Sequence, residues 1–299
     1  MNIIYSLDDL SDLQKLMLPK EKDIRFYEQN GWYISDKIIP DNILDDAKKG
    51  AEEFYIGKID FTLKNNKGIV NDNYNSSIAI RNNEFVTLQK KELHALGFYP
   101  MISAIAAALA RTTEIRLFSD SLINKSPEKP TNKGIIGWHS DKAYWPTCSS
   151  DNLITAWVPL QDCTKNMGPL IHINKSHLWK DEKELKPFFS FNNQDLSKFE
   201  NYLKTQKPNY IKTLMTLKRG QVSFHNCNTI HGSFPNTSNK DRLALAIHLQ
   251  DKSNTYKKAY KETGELIEIG YDKICKKDTF GNPDYKDVDL FPVIFREGL

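Results

Sequence analysis

The chain has 299 residues, 39% of them hydrophobic and 26% charged, with a formal net charge of +3. That length allows one large buried core or two small ones, and so small a charge gives no ground for nucleic acid or an anionic membrane as a partner. The opening MNIIYSLDDLSDL carries acids early and does not read as a secretory signal, and no stretch reads as the about 20 apolar residues of a bilayer span.

The N-terminal third reads as helical. From Asp41 to Tyr55, Leu44, Ala47, Ala51 and Phe54 recur at spacings of three and four, which puts them on one apolar face. Asp41 suits the N-cap and Gly57 the stop. Asn65 to Ser77, rich in Asn and Lys, reads as a surface loop. Pro100 to Ala110 is a second helix, with proline in its first turn and alanines for close packing. From about Glu114 the pattern changes to short runs of β-branched and aromatic residues between turns. Strands are expected at Ile115–Asn124, Ile135–Asp141, Asn152–Leu160, Leu170–Ile173, Gln221–His225 and Arg242–Gln250, which suggests a sandwich or barrel. No linker separates helices from strands, so one domain over residues 1–299 is expected. It divides into mostly helical support (1–113), a β core (114–250) and a C-terminal extension (251–299). The four cysteines, Cys148, Cys163, Cys227 and Cys275, form no CxxC pair and fit a reducing, cytoplasmic setting.

The informative stretch is Gly137-Trp138-His139-Ser140-Asp141. In extended chain His139 and Asp141 point to the same side, so an imidazole and a carboxylate can reach one ion. A second imidazole from a distant strand would complete the facial triad of non-haem iron(II) oxygenases. An isolated HxD is weak, but His231 stands in His231-Gly232-Ser233, and Arg242 follows eleven residues later at the head of an apolar strand. In alternation Arg242 shares a face with Ala244, Ala246 and His248, leaving room beside its fork for a dicarboxylate. His225 is a weaker alternative ligand. His248 could line the pocket or sit in the core, and His94, His172 and His177 read as structural.

With these residues in place the sequence resembles the phytanoyl-CoA dioxygenase family of iron(II)/2-oxoglutarate oxygenases. The likeness rests on the HxD and on Trp157 eighteen residues after His139. It continues through the turn Asn166-Met167-Gly168-Pro169-Leu170 that leads to Ser176-His177, the strand entry Gly220-Gln221, and the His231-Gly232-Ser233 stretch with Arg242. The opening Phe26–Trp32 and the tail from Gly281 to Pro292 match too, so the likeness covers nearly the whole chain. Departures occur at Met167, at Ile173-Asn174-Lys175 before Ser176-His177, and at Gln221, none of them in the iron site.

The resemblance implies a double-stranded β-helix (jelly-roll, cupin-like) core with helices packed outside it. It implies iron held by His139, Asp141 and His231, and 2-oxoglutarate held by Arg242 with Ser233 and Trp157. It also implies family contacts from the strand Asp120–Lys125, at a position the sequence does not single out. Arg81, Trp138, Tyr144, Trp145 and His248 are candidates for the substrate pocket. With O2, such an enzyme hydroxylates an unactivated C–H and releases succinate and CO2; desaturation and cyclisation are alternatives. Retention of Asp141, which related halogenases replace with Ala or Gly, argues against chlorination. No clustered basic rim suggests an acyl-CoA, so a small free metabolite of specialised biosynthesis is the expected substrate, with an acyl-CoA or carrier-bound substrate as the alternative. A metal enzyme without 2-oxoglutarate and a non-catalytic cupin-like binding protein are the remaining classes. Arg242 with Ser233, and the complete triad, speak against them respectively.

Overall fold

A computed structural model describes residues 4–63, 79–129, 133–180 and 182–298, so the loop expected at Asn65–Ser77 lies outside the described residues. The helices are α1 (Asp12–Leu16), α2 (Glu21–Asn30), α3 (Asp41–Tyr55), α4 (Lys91–Gly97), α5 (Pro100–Leu109), α6 (Glu182–Leu185), α7 (Ser197–Gln206) and α8 (Gly270–Ile274). The strands are β1 (Trp32–Ile34), β2 (Ile80–Glu84), β3 (Glu114–Lys125), β4 (Ile136–His139), β5 (Ile154–Pro159), β6 (Leu170–Ile173), β7 (Lys212–Leu214), β8 (Ser223–Asn226), β9 (His231–Ser233), β10 (Arg242–Asp251) and β11 (Val293–Arg296).

Two antiparallel sheets make the double-stranded β-helix. The larger has the order β1-β8-β5-β10-β3-β11, with β2 also paired to β3, and the smaller has the order β4-β9-β6-β7. Alternation along β10 sorts its side chains. Leu243, Leu245, Ile247 and Leu249 face outward into a core shared with Met101, Ile102 and Ile105 of α5 and Leu44 and Ala47 of α3. Ala244 and Ala246 face inward and meet Trp157, Met167, Leu170 and Met215 between the sheets. Arg242 and His248 have the same parity as these alanines.

Several boundaries differ from those expected. Pro40, not Asp41, caps α3; Asp41 takes the first helical position, where its carboxylate favours the helix dipole and pairs with Lys37 at 2.7 Å. Gly57 reverses the chain after α3 with φ +86°. The nominally helical N-terminal third also supplies β1 and β2 to the large sheet, and the C-terminal extension returns to it through β11. Lys91–Leu109 is long and apolar enough by composition to span a bilayer. It is broken into α4 and α5, and its apolar side chains pack into the core. The four cysteines are buried and unpaired.

Candidate active site

Strand β4 ends at His139, and Asp141 opens a 3-10 turn, Asp141–Tyr144, rather than continuing the strand. Ser140 between them is extended (φ −112°, ψ 147°), so the two side chains still converge. His231 comes from β9, and its backbone is the direct partner of His139. The possible ligand atoms of His139, Asp141 and His231 all lie within 4.8 Å of one another. Two backbone carbonyls set the imidazoles. Gly137 O lies 2.7 Å from His139 Nδ1, and Thr229 O lies 2.9 Å from His231 Nδ1. Each carbonyl accepts an Nδ1–H, which leaves the Nε2 lone pair of each ring for an ion. Burial holds both imidazoles below their usual range, that is, as neutral ligands.

Asp141 is held by a second layer. Thr155 Oγ1 donates to its Oδ2 at 2.5 Å, and His225 Nε2 lies 3.3 Å from the same oxygen. Burial alone would raise this carboxyl; the surrounding imidazoles, His231 first, outweigh it and keep the group well below the usual carboxylate range. His225, the weaker ligand candidate, therefore stands behind the carboxylate. His172 packs beside it with ring centroids 4.8 Å apart. His248 joins from β10, with Nδ1 2.8 Å from Thr155 Oγ1, and burial lowers its pKa to about 4.

At the other end of the inner face stand two cations. Arg242 is fully buried, and none of its three guanidinium nitrogens has a hydrogen-bond partner among the described residues. Its Cζ lies 5.3 Å from the centroid of the Trp157 ring. Lys125, paired in register with Arg242, donates to Ser233 Oγ and, at 2.8 Å, to Phe234 O. Burial first, and then the charge of Arg242, push the Lys125 ammonium well below its usual pKa. A buried cation left without partners is costly, and a carboxylate offering two oxygens would satisfy it. The residues therefore fit a dicarboxylate whose far end enters here.

A cavity of about 270 Å³ opens onto the triad. Trp157, Tyr144, Trp145 and His248 line it. Trp138 does not. Next to His139 in a strand, it alternates to the opposite side and packs in the core behind the small sheet against Phe199, at 6.1 Å. Arg81 does not line it either, because Asn82 and Glu84 take the inward positions of β2. Arg81 stacks on Tyr55 at 4.0 Å, and both its terminal nitrogens lie 3.3 Å from Tyr55 O.

A family model described as phytanoyl-CoA dioxygenase matches residues 27–244. The chain belongs to the phytanoyl-CoA dioxygenase family. The human peroxisomal phytanoyl-CoA dioxygenase is 22% identical over 228 residues, which cover 75% of this chain and 66% of that protein. The chain thus spans about two thirds of the length of that relative. The Bos taurus protein is 22% identical over 281 residues, covering 89% and 79%. Among solved structures, the α-ketoglutarate-dependent carbocyclase SnoK of nogalamycin biosynthesis superposes with a TM-score of 0.67 at 20% identity, covering 97% of this chain and 98% of that one. EctD from S. alaskensis, with 2-oxoglutarate and 5-hydroxyectoine, gives 0.60 at 19%, covering 80% and 79%. These likenesses establish the jelly-roll fold.

Several residues of this phytanoyl-CoA dioxygenase-family site escaped the sequence. Lys125 lies on the strand expected to contribute, but only the pairing Lys125↔Arg242 identifies it. Glu84 and Asn82 lie on a strand, IRNNE, whose polar composition carries no strand signature. Phe191 lies in a segment between β6 and β7 that also forms α6 and α7. Its ring stands edge-on to His139 at 5.7 Å, and its N–H donates to Tyr144 Oη at 2.7 Å. No periodicity marks that segment.

Proposed function

We propose that this chain is an iron(II)/2-oxoglutarate-dependent oxygenase that hydroxylates an unactivated C–H of a small molecule, with release of succinate and CO2. The observation that carries the reading is a cavity lined by three converging ligand groups, together with a buried, unpartnered Arg242 beside Trp157, which lines the same cavity. His139, Asp141 and His231 would hold the metal on one face, and Arg242, Lys125, Ser233 and Trp157 would hold the cosubstrate. When bound, iron(II) with 2-oxoglutarate supplies an oxidant made from O2 at the cost of decarboxylating the cosubstrate.

The protein's own part is positional. The Gly137 and Thr229 carbonyls fix both imidazole tautomers, and Thr155 with His225 aims the Asp141 carboxylate. Arg242 supplies a planar, permanently charged fork that fixes the far end of a dicarboxylate and so orients its near end toward the triad. Trp157 packs beside the guanidinium and excludes water from that end. The rings of Tyr144, Trp145 and Phe191 wall the remaining space, where one C–H must be held in place. The chain's likeness to enzymes described as acting in nogalamycin biosynthesis supports a substrate from specialised metabolism. The test is O2-dependent succinate formation by anaerobically reconstituted protein in the presence of a metabolite pool. Succinate no higher than with Asp141→Ala would sink the reading.

A further inference from the structure

The cavity holds a second carboxylate that the triad does not use. Glu84 points inward from β2, in register with Ser121 of β3; Ser121 pairs with Ala246 of β10, and Ala246 with Trp157 of β5. Glu84 and Trp157 therefore stand in one row across the large sheet, with only a serine and an alanine between them. Those two small side chains leave open the space that Glu84 faces.

Within the described residues the Glu84 carboxylate has one hydrogen-bond partner, the Tyr271 hydroxyl, which donates to its Oε1 at 3.4 Å. No basic side chain there forms an ion pair with it. Burial first, and then the nearby Asp120 carboxylate, raise its pKa to about 7. Asp120 cannot relieve this, because its oxygens are committed to the turn after β2, accepting from Val86 N at 2.7 Å and from Thr87 Oγ1. The cations of the inner face do not reach Glu84 either. Lys125 and Arg242 lie four residues further along β3 and β10, roughly 13 Å away at strand rise.

Charge then decides what the cavity lacks. A divalent metal, the Asp141 carboxylate, a dianionic cosubstrate and Arg242 sum to zero, and Lys125 is engaged by Ser233 and Phe234 at the far end. Glu84 is left in a buried wall with no positive group among the described residues to meet it when it ionises. Aromatic rings share the cavity with it: Tyr271 and Trp145 both line it, and both pack on Phe118, at 5.3 and 5.2 Å. A carboxylate with aromatic faces beside it is a receptor for an organic cation. It repels a phosphate or a free carboxylate.

We propose that the molecule oxidised here carries a protonated amine, and that Glu84 and Tyr271 receive its ammonium group. The proposal rests on the oxygenase reading above and narrows its substrate class from small molecules in general to basic amines. It disfavours substrates whose only charges are negative, acyl-CoA esters among them. The ion pair acts as a tether: it holds the nitrogen at the β2 wall while a C–H elsewhere in the same molecule lies over the triad.

The experiment titrates the full chain, loaded anaerobically with iron(II) and 2-oxoglutarate, with matched probes followed by calorimetry. The panel is a set of primary aryl- and alkylamines, each beside its N-acetyl and carboxylate counterparts, with benzoyl-CoA as the acyl-CoA member. Amines are expected to bind at least tenfold more tightly than their N-acetyl partners, and carboxylates and the CoA ester more weakly still. Glu84→Gln should erase the preference, and Glu84→Ala should repeat the result if the first variant lacks a cooperative melting transition. The proposal is overturned if no amine in the panel outbinds its N-acetyl partner, or if the preference survives in the variants. Succinate release by the wild-type protein, against Asp141→Ala, is measured in the same preparations. Succinate without amine preference removes only the amine proposal, whereas no succinate removes the oxygenase reading whatever the probes do.

Discussion

The Arg242 guanidinium lies 5.3 Å from the Trp157 ring, fully buried and without a hydrogen-bond partner among the described residues. A charge held dry in this way costs stability until a ligand meets it. Arg242→Met, similar in volume and uncharged, should therefore raise the melting temperature of the ligand-free protein. The same change should raise the KM for 2-oxoglutarate about a hundredfold, since charged hydrogen bonds are worth about 1.5–3 kcal/mol each. Iron(II) affinity should stay near the wild-type value. Thermal melting of the ligand-free protein checks the first half and 2-oxoglutarate-dependent succinate kinetics the second; an unchanged KM would refute the assignment of Arg242.

Thr155 Oγ1 holds Asp141 Oδ2 at 2.5 Å from the neighbouring sheet. Removing that hydroxyl in Thr155→Val frees the carboxylate to rotate and should weaken iron(II) binding about 10- to 100-fold, as loss of an outer-layer partner does at other metal sites. Calorimetric titration under nitrogen measures it. Affinity equal to wild type would mean that His225 alone suffices to aim Asp141.

Metal itself should stabilise the fold by mass action. At a free concentration about 100 times the dissociation constant the gain is about 2.7 kcal/mol. A chelator should lower the melting temperature of the iron-loaded protein, and Asp141→Ala should show little or no such shift. A shift in Asp141→Ala as large as in wild type would place the ion somewhere other than the triad.

Glu84 carries a pH signature that needs no ligand. Its pKa is about 7 in the folded protein against an ordinary 4.5, with Asp120 and the Tyr271 hydroxyl as the groups that face it. The folded state therefore binds the extra proton between pH 4.5 and 7, and stability falls as pH rises through that window. Glu84→Gln removes the effect. Its melting temperature should gain on wild type from pH 4.5 to 7 and keep a constant lead above that. A difference that does not change with pH would show that Glu84 titrates normally.

A Cβ at Gly137 would collide with the Ser190 carbonyl and come within 2.9 Å of Asn193 Cβ. The strand carrying His139 lies that close to the segment carrying Phe191. Gly137→Ala should cost about 1–3 kcal/mol, as overpacking does, and should lower iron(II) affinity with it. Chemical denaturation gives the first number, and an unchanged midpoint would show that the 190s segment yields freely.

The iron triad was legible because it depends on short-range geometry. Two residues apart on extended chain share a side, and this held even though Asp141 had already left the strand for a turn, because Ser140 stayed extended. Arg242 was legible for a similar reason, since alternation along one long strand fixes its face. Lys125 and Glu84 were not, because their positions depend on register between strands far apart in sequence. Trp138 and Arg81 were misplaced by the converse error. Nearness to His139 suggested the pocket for Trp138, and a place just past the Asn-rich loop suggested it for Arg81, while alternation sends both side chains to the other side.

Strand β1 is only three residues long, yet it closes one side of the large sheet, with Trp32 opposite His225 and Ile34 opposite Ser223. Without it, β8 would offer a bare edge of unpaired N–H and C=O groups directly beside the imidazole that backs Asp141. Trimming the chain past Ile34 would thus do more than remove a flank. It would invite sticky edge-to-edge association between molecules and loosen the backing of the carboxylate in the same act, so solubility and metal retention should fail together.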